Sequence, residues 1–71
     1  MTEKEKIMII EESMDLDEGT LSTEDVLDDF DEWDSLAVLS FIALVEERMH
    51  KNVDAAELKK VVTVADALTL M

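Results

Sequence analysis

Residues 34–50 read DSLAVLSFIALVEERMH, and the fold turns on what this stretch becomes. Asp34 is a strong helix N-cap, its short carboxylate able to accept a free backbone N–H of the first turn. No proline or glycine follows, so the spacing predicts a helix over 35–50. Val38, Ile42, Val45 and Met49 recur at intervals of four, three and four, which marks the expected buried face. Arg48, His50 and Lys51 stand at the far end, where cations suit the helix dipole. Between Leu36 and Val45 nine of ten residues are apolar, Ser40 being the exception. One helix in so small a protein buries about half its circumference. Leu36, Ala37, Phe41 and Leu44 therefore exceed what one core face can take. The surplus predicts a docking patch beside Ser35, or cover from loop residues Leu27, Phe30 and Trp33.

Upstream, Thr2 and Glu5 form a capping box, and Ile7, Ile10 and Met14 follow at helical spacing, giving a first helix over 2–14. Periodicity then fails, and 15–34 reads as a long loop whose Leu16, Leu21, Val26, Leu27 and Phe30 tuck onto the core. Ser22 with Asp25 suits a capped turn inside it. Loops this long in small domains are mostly functional or disordered. Downstream, a short helix is expected around 54–59, capped by Asn52 or Asp54. Thr63 and Asp66 form a second box opening a last helix with a Val64, Leu68 and Met71 stripe. The expected fold is all-α: a small four-helix bundle of three main helices and one short one, with the long loop between helices one and two, in a single domain over 1–71.

Composition agrees. The 71 residues include no proline and one glycine, and the aromatics are Phe30, Trp33 and Phe41 alone, which disfavours a many-turned β fold. A domain of this size buries only about 60% of its unfolded surface, so its stability is marginal. With no cysteine and a single histidine, a disulfide and a structural zinc site are both excluded. The four-residue apolar run after MTEKEK is too short for a signal-peptide core, and no uncharged run reaches membrane-spanning length. A soluble, cytoplasmic, monomeric protein is expected.

The formal charge is −13, unevenly spread: twelve of the nineteen acids fall between Glu11 and Asp34, where there is no base. Such a surface repels nucleic acid and anionic lipid and draws in partners with basic patches. Asp15-Leu16-Asp17-Glu18-Gly19 resembles the start of a calcium loop but has glycine in fifth place and Val26 where the closing glutamate belongs, so no metal site is assigned.

Ser35 is the residue with chemistry to offer. It begins the helix, where backbone N–H groups lack partners and the dipole favours an anion. A phosphate on its hydroxyl is stabilised there, and the adjacent Asp34 suits a divalent cation during phosphoryl transfer. Catalysis by Ser35 itself is excluded. His50 lies at the other end of the helix, over about 20 Å away at ~1.5 Å per residue, so no nucleophile–base pair exists. An enzyme is not expected.

With these residues in view, the chain resembles the acyl carrier proteins. The resemblance rests on D-S-L (Asp34-Ser35-Leu36) opening an apolar helix, the pair Glu46-Glu47 near that helix's end, the T-V-x-D box (Thr63, Val64, Asp66), and L-x-x-F from Leu27 to Phe30. It spans nearly the whole chain in the family's order. It implies a four-helix bundle whose Ser35, flanked by Asp34 and Leu36, receives 4′-phosphopantetheine from coenzyme A. The arm's thiol would then carry acyl groups as thioesters in fatty-acid, polyketide or related specialised biosynthesis. The implied partners are a phosphopantetheinyl transferase, an acyl-loading ligase or acyltransferase, and synthases or transferases with basic patches. They would dock on Leu36, Val38, Ala43, Glu46 and Glu47.

Two departures stand out. Glu32 and Trp33 occupy positions where the family usually has glycine, and a tryptophan there looks like the discrete carriers of specialised pathways. Ala37 and Ser40 replace acids common on the second helix, which moves recognition toward the acidic loop and apolar contacts. Trp33 is read as a packing anchor over the helix, and Met8, Met14 and Met49 as soft core filler. The competing class is an acidic helical interaction module that is never modified, an adaptor or a nucleic-acid mimic. It offers no reason for an exposed serine beside surplus apolar surface.

Overall fold

Thr2 starts the chain's first helix as its sequence promises. Its hydroxyl accepts the Glu5 N–H at 3.2 Å while the Glu5 carboxylate accepts the Thr2 N–H at 3.3 Å; that N–H and the Thr2 hydroxyl, which donates to the same carboxylate at 3.0 Å, hold the Glu5 carboxyl below its ordinary value. In the computed structural model, which describes residues 1–71, α1 runs Glu3–Ser13. The main-chain fold is all-α: α2 is Ser35–Met49, α3 Ala55–Leu58 and α4 Val64–Leu68, with one 3₁₀ turn at Leu27–Asp29 in the long connection. No helix is long and apolar enough to cross a membrane.

The three helix caps expected between 34 and 66 fall where local chemistry puts them. The Asp34 carboxylate accepts the Ala37 N–H at 2.9 Å, and Asp54, not Asn52, accepts the Ala56 N–H at 2.8 Å. Thr63 and Asp66 close the second capping box. In the loop the Asp25 carboxylate accepts the Ser22 N–H, forming a turn rather than a helix.

The expected helix lengths are revised at the C-terminal end. There are two long helices and two short ones, because α4 holds five residues. Beyond it the chain tightens into three-residue turns, Leu70 to Ala67 and Met71 to Leu68, with the Thr69 hydroxyl donating back to the Asp66 carbonyl at 2.6 Å.

The buried face of α2 is turned from the one expected. Ala37, Phe41 and Val45 are buried to 2% exposure or less, while Val38, Ile42 and Met49 flank them half-buried. The reason lies outside the helix. Trp33 packs edge-on to Phe41, ring centroids 6.1 Å apart at 76°, and this pair draws the larger aromatic surface inward. Trp33 thus acts as the expected anchor. On α1, Ile9, Ile10 and Met14 are buried and Ile7 is half-buried, but Met8 is exposed rather than core filler.

The loop is pinned at several points. Leu27 is fully buried and Leu21 nearly so, and Leu16, Val26 and Phe30 are half-buried. A single antiparallel bridge joins Val26 to Thr63, through Leu27 N–H to the Val62 carbonyl and Val64 N–H to the Asp25 carbonyl, both at 2.9 Å. At its start the loop hangs on Glu11, which is 2% exposed. One carboxylate oxygen accepts the Leu21 N–H at 2.9 Å; the other is buried without a partner. Arg48 at the end of α2 grips Glu12 of α1 with both guanidinium nitrogens, at 2.6 and 2.9 Å.

Candidate functional site

Ser35 is the first residue of the 15-residue α2 and is exposed. Asp34 supplies the cap from the preceding, extended residue. The serine hydroxyl is therefore not needed to hold the helix start, and the cap fixes where it stands. The α2 residues that follow sort into three groups. Ala37 and Phe41 point into the core, Val38 is half-buried, and Leu36 and Leu39 are 74% and 63% exposed.

Ser35 opens onto a cleft of about 480 Å³ between the start of α2, the end of the loop, and α3 with the residue or two beyond it. Val38 and Leu39 of α2 line it, as do Ala55, Leu58 and Val61 from the α3 side and Trp33 from the end of the loop. Three charged side chains also line it: Asp28, Asp34, which precedes the serine in the chain, and Lys59, the C-cap residue of α3. A volume of this size falls within the range of small-molecule sites, and its mostly apolar lining with few polar groups is typical of them.

The expected docking residues divide. Leu36, Ala43, Glu46 and Glu47 are all exposed, and their spacing keeps them on the helix side away from the core. Val38 does not belong with them; it lines the cleft, because the core face sits one position away from the expected one. Leu39 does belong on the exposed side and was not singled out in the sequence, although it lies three residues after Leu36 and four before Ala43. Ala43, Glu46 and Glu47 also border an open, acidic hollow with His50 and Asn52 at the C-terminal end of α2.

The loop carboxylates, crowded in sequence, do not converge: no three acidic or histidine side chains are placed to hold a metal ion. Lys59 was not singled out in the sequence either; only the tertiary packing of α3 against α2 brings it to the serine's cleft. No family model, curated protein or solved structure matches this chain.

Proposed function

We propose that this protein is an acyl carrier, modified on Ser35 with 4′-phosphopantetheine taken from coenzyme A. One observation carries the reading: an exposed serine begins a long helix at the mouth of an apolar cleft, with Leu36 and Leu39 bare beside it. In the attachment, the Ser35 Oγ–P bond forms as the pyrophosphate bond of coenzyme A breaks. The nucleotide half leaves, and the serine proton passes to the transferase. The bound arm supplies a thiol, absent from the chain itself, on which acyl groups are held as thioesters.

The chain's own residues then have distinct tasks. Asp34 keeps the helix start capped, so that Ser35 stays at a fixed place. Val38, Leu39, Leu58 and Val61 offer a dry wall to an apolar chain. Leu36, Leu39 and Ala43 form an apolar strip, with Glu46 and Glu47 at its end, that suits partner enzymes whose docking site is apolar and edged with basic residues. Such a carrier works as a monomer among cytoplasmic enzymes, and the departures at Trp33, Ala37 and Ser40 favour a specialised pathway over general fatty-acid synthesis.

The test is an intact mass of the protein from its native host and after incubation with coenzyme A and a broad-specificity phosphopantetheinyl transferase, with Ser35→Ala alongside. The expected result is a phosphopantetheinyl mass increment on the wild type and none on the variant. A wild type that gains nothing under both conditions would leave an unmodified acidic interaction module as the better reading. Loading retained in Ser35→Ala would move the site elsewhere.

A further inference from the structure

We infer that Lys59 is the counter-ion of the phosphodiester formed on Ser35; the inference rests on the carrier reading above and adds a residue to its site. The observation is a lysine left single in a very acidic protein. The three ion pairs are Lys4–Glu18, Arg48–Glu12 and Lys60–Glu57, and Lys59 belongs to none of them. Its neighbour Lys60, just past the end of α3, turns back to Glu57 on that helix at 3.8 Å. Lys59 instead lines the cleft that begins at Ser35.

The charge balance of that cleft gives Lys59 its role. Asp28 and Asp34 already line it, against one cation. One oxygen of Asp34 is committed to the Ala37 N–H. Attaching a phosphodiester adds a further negative charge to a cleft already lined by two carboxylates, and the first turn of α2 offsets it only in part. Lys59 is the single side chain lining the cleft able to pair with it. A lysine suits the task, because its long stem reaches along an apolar wall while the ammonium stays in water. The pair also bridges the serine's helix to α3, so loading would tie the two walls of the cleft together.

The experiment loads the full chain with coenzyme A and a phosphopantetheinyl transferase, in wild type, Lys59→Gln, Lys59→Arg and, as control, Lys60→Gln. Two readouts are taken at low salt: the ³¹P chemical shift of the attached phosphate, and the melting temperature of each unloaded and loaded form. Lys59 is exposed, so its replacement leaves the unloaded fold intact. In Lys59→Gln the ³¹P resonance moves from the wild-type position, and Lys59→Arg restores it. The stabilisation on loading falls by about 1–4 °C in Lys59→Gln, the range of a surface ion pair in a domain this small. Lys60→Gln changes neither readout. An unmoved ³¹P resonance in Lys59→Gln overturns the role of Lys59 while the carrier reading stands. A wild type that cannot be loaded at all removes both.

Discussion

His50 ends α2 at φ 54° and ψ 37°, in the left-handed region, with its N–H bonded to the Glu46 carbonyl at 3.0 Å. Glycine holds that conformation without the clash a β-carbon brings. His50→Gly is therefore expected to stabilise the fold by about 0.5–1 kcal/mol, read as a higher urea midpoint at unchanged slope. A lower midpoint would mean that the imidazole makes a contact the cap geometry does not require. Asp66 works at the opposite kind of terminus. Its carboxylate accepts the Thr63 and Val62 N–H groups, both at 3.1 Å, and these bonds hold its carboxyl below the ordinary value. A depressed folded-state value means stability present above the unfolded-state value and lost as pH falls through the folded one. The melting-temperature gap between wild type and Asp66→Ala should thus be full at neutral pH and narrow below about pH 4. A constant gap down to pH 2 would contradict the capping role of the charge.

At the scale of elements, α2 serves the core with one side and the surroundings with the other, and variants should separate the two. Phe41→Ala empties a site with 0% exposure that also meets Trp33 edge-on and is expected to cost about 3–5 kcal/mol, enough to unfold a marginal domain. Leu36→Asp, at 74% exposure, should leave the circular-dichroism melt within about 0.5 kcal/mol of wild type while, on the carrier reading, slowing turnover by the enzymes that dock there. Unfolding by Leu36→Asp would remove the docking strip. The same helix shows what a sequence discloses and what it hides. The caps at Thr2, Asp34 and Thr63 were legible, and Asp54 as one of two candidates, because each is settled within four residues. The helix starts, Ser35 and the exposed Leu36, Ala43, Glu46 and Glu47 followed from them. The inward face was legible only at Val45. A helix apolar on most sides leaves its orientation to distant contacts, and Trp33 against Phe41 decided it. Val38 then moved into the cleft. Arg48 reaching Glu12 and Val26 bridging to Thr63 join residues more than thirty places apart, which no periodicity reveals. The presence of Lys59 in the same cleft as Ser35 is hidden for the same reason.

For the whole molecule, charge sets the stability. Most of the acids lie in and beside one loop, and the three ion pairs are all on exposed side chains. Like charges held this close repel across distances that salt screens: the Debye length falls from about 30 Å at 0.01 M to about 8 Å at 0.15 M ionic strength. The melting temperature is expected to rise by several degrees over that range. Millimolar Mg²⁺ should raise it further by favouring the compact, more highly charged surface. A melting temperature indifferent to both would show that the loop charges are far enough apart to ignore one another.

Trp33 lines the serine's cleft and touches the buried Phe41 from its edge. It is also the chain's one indole. The protein thus has a built-in optical gauge at the place where, on the carrier reading, an acyl group would rest. An apolar group settling into the cleft displaces water from one face of that ring and shifts its emission to the blue, while a group held outside leaves the spectrum alone. Whether a given cargo rides sheltered or exposed can be read from the unlabelled protein in a cuvette.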